Sequence, residues 1–423
     1  PISINGNLDI NSRTFFMGNT AHRLSFGASA AVSGNRGPGI ILDPSKPRYS
    51  SFNNQSQRPV NFDKTIPYFT NHGYYVQDNA SGTVFGKKYT ATIGLRTDVQ
   101  NGFAAFQPRL SVMYHLSNAW STSFAYGIST KAPSLADRYP APAWIDIPVL
   151  DLYNGYANQS LFLVYTRKIE TDNSRLRAAK SRSFEWGLNF KNPWSKASLV
   201  AYARINTDGF NSYGQYEPLY VPNYKYTVDP VTQKINYYPS GDSTLYAAIK
   251  RYTITNGLYT ADYGAELMFS TKDIAPLSTS FSLRASLTYS KYDARGDREV
   301  VAVSDNYIQA GKPALFGVYR PKSNSSVSMI STVSSITHIP KLGFIVTLST
   351  DLIMIKTTRN NPKSNDPIGY IDRQMQYVPI DGKEAGSAAY DYLRLTAADR
   401  LTTSLPFIYP CINVTIAKEI RKR

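Results

Sequence analysis

The sequence predicts an all-β protein of one kind, a transmembrane antiparallel β-barrel, and three observations predict it. Long runs alternate with period two between large apolar and small polar residues, no segment is apolar enough for a membrane helix, and short connections alternate with long ones.

The composition permits this class. Of 423 residues 42% are hydrophobic, and 32 Tyr, 19 Phe and 4 Trp favour strands over helices. No stretch reaches the roughly 18 consecutive apolar residues of a spanning helix. Even the run from Phe344 to Ile355 is broken by Thr347, Ser349 and Asp351. The single Cys411 leaves no disulfide framework and no cysteine-based zinc cluster. The net charge of +16 is scattered over loops and strand ends, which fits an anionic lipid surface or anionic solutes better than nucleic acid. The start at Pro1, with no signal-peptide pattern beside it, reads as a cleaved or trimmed end.

Taken in order, the strands show two unlike faces. Tyr89, Ala91, Ile93 and Leu95 oppose Thr90, Thr92, Gly94 and Arg96. Trp120, Thr122, Phe124, Tyr126 and Ile128 oppose Ser121, Ser123, Ala125, Gly127 and Ser129. Phe184, Trp186, Leu188 and Phe190 oppose Glu185, Gly187 and Asn189. Tyr263, Ala265, Leu267 and Phe269 oppose Gly264, Glu266 and Met268. Phe281, Leu283, Ala285, Leu287 and Tyr289 oppose Ser282, Arg284, Ser286 and Thr288. A strand's side chains point to opposite faces in turn, so each run has one apolar and one polar face. Soluble strands average about 5–6 residues, whereas a tilted bilayer-crossing strand needs about 9–11. These runs are of the longer kind, and aromatics at their ends suit interfacial girdles.

The connections keep parity. Short turns are expected at Ala80–Lys88, Ser117–Ala119, Lys191–Ala197, Thr271–Thr279 and Ser335–Gly343. Long loops are expected at Gly34–Thr65, Thr130–Ser181, Thr207–Thr255, Lys291–Lys322 and Thr357–Leu405, with Gln100–Pro108 a short member of that set. Successive antiparallel strands place the two sets on opposite rims, as short periplasmic turns and long extracellular loops require. About 13 strands result, the first within Ile2–Asn11 and the last within Pro406–Lys418. An even-numbered, closed barrel would need more.

Several segments resemble the barrel of TonB-dependent receptors, especially the large Bacteroidota type. They are QPRLSVMYHLSNAWSTSFAYGISTKAPSLADRYP at Gln107–Pro140, GYYVQDN at Gly73–Asn79 and IGLRTDV at Ile93–Val99. SRTFFMGNTAHRLSFGA at Ser12–Ala28, NRGPG at Asn35–Gly39 and NVTIAKEI at Asn413–Ile420 complete the set. The resemblance implies a barrel of about 22 strands in the bacterial outer membrane, its lumen closed by a plug domain. Residues 1–423 are then a single partial barrel domain, with the plug and the TonB-contacting segment before Pro1 and a final hairpin after Arg423. The implied partners are the barrel's own plug, TonB, a surface lipoprotein lid or other outer-membrane complex subunits, and lipid or lipopolysaccharide. No cofactor and no nucleic acid are expected.

The residues offer no catalytic constellation. Only His22, His72, His115 and His338 could act as the base of a hydrolase; His22 opens a strand, His115 precedes a tight turn and His338 falls within one, all ordinary positions for histidine. Asp293, Asp297 and Glu299 lack calcium-loop spacing, and the Arg295-Gly296-Asp297 triplet is too short to indicate adhesion. Binding is the better prospect. The expected loop Thr207–Thr255 carries Tyr213, Tyr216, Tyr220, Tyr224, Tyr226, Tyr237, Tyr238 and Tyr246 among Asn, Gln and Pro. A second holds Tyr139, Trp144, Tyr153, Tyr156 and Tyr165. Amphipathic rings make contact surfaces for sugars, peptides or proteins, or pack loop on loop. Arg96, Glu185, Glu266 and Arg284 face the lumen, as plug contacts or wall charges.

By resemblance the function is uptake of a glycan, peptide or chelated metal across the outer membrane, not enzymatic. The alternative is a receptor-like barrel serving as an assembly subunit of a larger outer-membrane complex. A soluble all-β adhesin is disfavoured by the turn parity.

Overall fold

The computed structural model describes residues 1–35, 37, 56–57, 66–140, 142–153, 155–295, 298–360, 365–395 and 409–418. The first part of the chain forms β1 (Ile2–Asn11), β2 (Phe15–Met17), β3 (Thr20–Gly34), β4 (Ser56–Gln57), β5 (Phe69–Val84), β6 (Lys87–Gln100), β7 (Phe103–His115) and β8 (Trp120–Lys131). The middle forms β9 (Ala143–Leu152), β10 (Leu161–Ile169), β11 (Ala179–Lys191), β12 (Ser195–Val228), β13 (Ile235–Thr271) and β14 (Thr279–Ala294). The last part forms β15 (Glu299–Ala302), β16 (Ala314–Tyr319), β17 (Ser323–Ile339), β18 (Phe344–Asn360), β19 (Pro367–Asp372), β20 (Tyr377–Pro379) and β21 (Tyr409–Lys418).

Thirteen of these make one antiparallel sheet in the order β1-β3-β5-β6-β7-β8-β11-β12-β13-β14-β17-β18-β21, with β2 folded back on β3. The sequence-based strand count and its first and last members agree with this path. Register keeps like with like. Tyr126, Phe124 and Trp120 lie opposite Phe184, Trp186 and Phe190, and Tyr263 lies opposite Tyr289. Ring pairs follow: Trp120 with Phe190 at 4.7 Å and Tyr126 with Phe184 at 4.8 Å. On this face Phe124 is 42% exposed and Ile93 60%. Such a continuous apolar surface is a fault in water and the requirement in a bilayer.

The turns explain the meander. Phe85-Gly86 and Asn101-Gly102 both hold two successive positive-φ residues, the conformation that closes two-residue hairpins with the strands' own twist. The rim carrying the remaining tight turns has links at 116–119, 192–194, 272–278 and 340–343. Both edge strands, β1 and β21, run toward that same rim, so pairing them directly would be parallel in a sheet whose every ladder is antiparallel.

The expectation of a loop over Thr207–Thr255 is corrected. β12 and β13 have 34 and 37 residues and continue past the wall as a two-stranded ribbon, paired from Gly209↔Leu258 to Val228↔Ile235. Bulges at 206–211, with Asp208 at φ 55°, mark where the ribbon leaves the wall.

Two apolar cores lie on the long-connection rim. β9 and β10 form a hairpin whose Ile145, Ile147 and Ile169 pack with Leu219, Val221 and Ile249 of the ribbon. The second core joins Val303, Ala314, Ile380, Ala385 and Leu393 beneath the sheet β15-β16-β19-β20. The two long connections after β14 and β18 thus fold together as one lobe. The expected loop Gly34–Thr65 lies outside the described residues except for 34, 35, 37, 56 and 57.

Candidate functional site

A cleft opens where the ribbon leaves the wall. Tyr213 and Tyr252 from the ribbon, Tyr292 from β14, and Arg298, Glu299 and Lys322 from the following connection line it. Register builds it: Tyr213 is opposite Thr253, one residue from Tyr252, while Tyr292 lies between Thr260 and Asn324. Tyr292 has the parity of Arg284, Thr288 and Ser290, so it stands on the polar face of the wall. Lys322 Nζ contacts Glu299 Oε1 at 2.7 Å, and the Arg298 guanidinium lies 5.2 Å from the Tyr377 ring. The cleft therefore offers phenol rings and hydroxyls, one ion pair and one guanidinium with no carboxylate partner among the described residues. That set suits a polar ligand with a flat face, held by stacking and hydrogen bonds.

The sequence-selected tyrosines separate into different roles. Tyr213 enters the cleft. Tyr216 stacks on Phe316 at 3.9 Å and ties the ribbon to the second lobe. Tyr220 and Tyr246 are exposed along the ribbon. At the tip Tyr226 is opposite Tyr237, which meets Tyr224 edge-on at 6.0 Å, and Tyr238 is opposite Lys225. Tyr139 ends the helix Leu135–Arg138, begun by a Ser134–Asp137 capping box, and Arg138 covers its ring at 5.4 Å. Trp144 sits on β9 opposite Lys168. Tyr153 and Tyr156 are exposed, and Tyr165 packs on the first core. These residues do not converge on one site.

At the ribbon tip the carboxylates are well held. Asp229 accepts N–H bonds from Val231 and Thr232 at 2.8 and 2.9 Å, which holds its carboxyl below the usual range. Ser240 and then Asn223 do the same for Asp242. In the second lobe, burial pushes the Tyr370 and Tyr392 phenols up.

On the polar wall face, Arg96 grips Asp98 with Nε–O distances of 3.0 and 2.9 Å, and Gln107 donates to the same carboxylate at 2.6 Å. Gly73 makes room: a Cβ there would lie 2.5 Å from Asp98 Oδ1. Glu185 faces Ala125 and Tyr202, Glu266 faces Val200 and Ser286, and Arg284 faces Met268 and Thr332. They are spread around the wall.

Histidine roles differ from expectation in one place. His338 lies within β17 opposite Ile345, because the turn begins at Pro340. His22 contacts Asp78 at 2.7 Å and stacks on Phe15 at 5.6 Å, on the apolar face. Among the described residues no group of three His, Cys, Asp or Glu could hold a metal. Asp293 and Glu299 are taken by Arg295 and Lys322, and Asp297 lies outside the described residues. Sequence reading missed Tyr252, Tyr292, Arg298 and Lys322 as site residues; they come from separate connections, and only the register joins them.

Residues 2–215 match the family described as TonB dependent receptor-like, beta-barrel. No curated protein matches the chain. Among solved structures it is similar to a variant of the ferric enterobactin receptor PfeA from Pseudomonas aeruginosa, at 12% identity, 99% of this chain, 54% of that one and a TM-score of 0.41. It is similar also to the siderophore receptor PirA of the same organism, at 16% identity, 83% and 52% coverage and a TM-score of 0.38. The outer membrane transporter YddB from Escherichia coli gives 10%, 89%, 52% and 0.41. The chain spans about half the length of these structures.

Proposed function

We propose a transport role from one premise: the chain belongs to the TonB-dependent receptor-like β-barrel family, whose members lie in the outer membrane. The chain supplies part of the wall and the external crown of a receptor that takes a ligand from outside and passes it inward. A plug inside the lumen and TonB on the periplasmic side supply the gate and the energy. The observation that carries the reading is the cleft of Tyr213, Tyr252, Tyr292, Arg298, Glu299 and Lys322, which opens above the polar wall face. Its rings and polar groups fit a glycan, a peptide or a chelated metal, and among the described residues that line it no nucleophile is hydrogen-bonded to a base.

The exposed tip tyrosines Tyr226, Tyr237 and Tyr238 favour a second reading, in which the ribbon docks a lid lipoprotein or another subunit and the barrel serves assembly.

Uptake assays on the whole natural protein separate these. In cells given labelled oligosaccharide, oligopeptide and ferric-chelate pools, Tyr213→Ala with Arg298→Ala should lower uptake about tenfold, the loss of two contacts of about 1 kcal/mol or less each. The barrel should remain folded by its heat-dependent gel mobility. Unchanged uptake would remove the cleft as the ligand site. No uptake by the unaltered protein, with loss of a co-purified subunit on deleting the tip, would favour assembly.

A further inference from the structure

The tight-turn rim presents large rings to water. On the lipid face near this rim Trp120 lies opposite Phe190 and Tyr89 opposite Tyr114, the aromatic girdle that marks a bilayer boundary. Phe85 and Trp194 lie beyond that boundary, in the turns β5–β6 and β11–β12, and are 93% and 59% exposed. Phe85 also has a φ of 51°, a left-handed conformation that strains a bulky residue and that Asn or Gly takes freely. A strained ring kept in water at a turn tip points to a contact made outside the chain.

Lysines surround both rings. Lys87 and Lys88 follow Phe85 by two and three residues, and Lys191 and Lys196 flank Trp194, whose carbonyl accepts the N–H of Lys272 at 2.8 Å. None of these five has a carboxylate partner among the described residues. In segments 84–88, 191–196 and 272–278 Asp273 is the single acid. Lys191 and Lys196 stand directly opposite each other, like charges that weaken a ladder and that an anion between them would offset. They share the parity of Glu185 and Asn189, so they stand off the lipid face. With Ser198, Ser270, Ser282 and Arg284 they line a hollow that has no carboxylate among its described lining residues.

We propose that this rim binds the glycopeptide polymer of the cell wall, with Phe85 and Trp194 stacked on its sugars and Lys87, Lys88, Lys191 and Lys196 on the carboxylates of its peptides. The family's residence in the outer membrane, with the external lobes on the opposite rim, puts the tight turns in the periplasm, where that polymer lies. Rings give sugars a flat apolar face, and ammonium groups make charge-assisted hydrogen bonds to carboxylates. A phospholipid head would call for cations on the lipid face, and a neutral glycan would call for none. The two turns are four strand spacings apart, about 19 Å, so an extended chain can meet both at once and a small solute cannot.

The test uses the whole natural protein, purified in mild detergent and sedimented with isolated cell-wall sacculi at fixed salt. Phe85→Asn with Trp194→Ser should weaken binding about tenfold, and Lys191→Gln with Lys196→Gln should do the same. Lys191→Arg with Lys196→Arg should keep it. Lys225→Gln with Lys234→Gln, an equal change of charge at the ribbon tip on the other rim, should leave it unaltered. Asn is a residue that such a turn favours, so Phe85→Asn should keep the heat-dependent gel mobility of the folded barrel. Two arms need only the unaltered protein and decide the matter even if a variant does not fold. Sacculi with amidated carboxyl groups should lose binding, and soluble muropeptides should compete where chitin oligosaccharides, an acidic peptide and phosphatidylglycerol vesicles do not. No sedimentation of the unaltered protein, full binding by the ring or glutamine variant, or equal binding to amidated sacculi would each overturn the proposal. So would competition by the chitin fragments, the acidic peptide or the vesicles, which would point to a neutral glycan, a protein or a membrane instead.

Discussion

β12 and β13 are two strands that live in two solvents. From Ser195 to Thr207 and from Leu258 to Thr271 they are interior wall strands, hydrogen-bonded to β11 and β14 as well as to each other. Beyond Gly209 and Leu258 those outer neighbours stop and each strand pairs only with the other. In the wall, Leu199 and Leu267 stay exposed on the lipid side. In the ribbon, Leu219 at 2% and Ile249 at 3% exposure are covered by β9 and β10. The same ladder thus carries opposite rules for its apolar residues. A bilayer covers the wall, whereas the ribbon must bring its own cover, since an isolated two-stranded hairpin is marginal in water.

The largest expected effect breaks that cover. Leu219→Ala or Ile249→Ala should cost the crown about 2–5 kcal/mol, the range for emptying a buried aliphatic site. Limited proteolysis should then cut within the ribbon while the wall keeps its heat-dependent gel mobility. Simultaneous loss of both would show that ribbon and wall fold as one unit, and the contrast between them would fail.

The wall has its own test, of somewhat smaller size. Phe124 stands mid-run between Trp120 and Ile128 on the lipid face, and Ser123 is its neighbour on the polar face. Phe124→Arg should cost about 2–4 kcal/mol near the bilayer midplane, and Ser123→Arg much less, in a folding titration in lipid. Equal costs would mean that the two faces are not lipid and lumen.

The wall was legible in the sequence because its period-two signal is uninterrupted and its faces differ strongly; Trp120 to Ile128 needs nothing else. The ribbon was not, because Pro218, Pro222 and Pro239 punctuate it and read as a loop. They are tolerated there because a ribbon with unpaired outer edges has positions where no ladder N–H is needed. The pairing of His22 with Asp78 across 56 residues, and the meeting of Tyr213 with Tyr292 and Lys322, depend on strand register. Alternation fixes faces but leaves these long-range neighbours open.

The smallest effect sharpens the comparison at the ribbon's far end, where neither lipid nor an apolar core contributes. Asp229 and Asp242 hold the tip through hydrogen bonds to their carboxylates, and both titrate below the usual aspartate value of 3.8. A depressed folded-state pKa means that their contribution is complete above about pH 4 and is lost as pH falls through the lower folded value. The wall segment 197–205 of β12 is held by ladders on both sides and carries no carboxylate of its own. Acidification from pH 5 to pH 3 should therefore speed hydrogen exchange at 223–242, after correction for intrinsic rates, and leave β12 at 197–205 unchanged. Asp229→Asn with Asp242→Asn should flatten the response. A tip that stays equally protected across that range would show that its Tyr224, Tyr226 and Tyr237 rings, rather than its carboxylates, hold it closed.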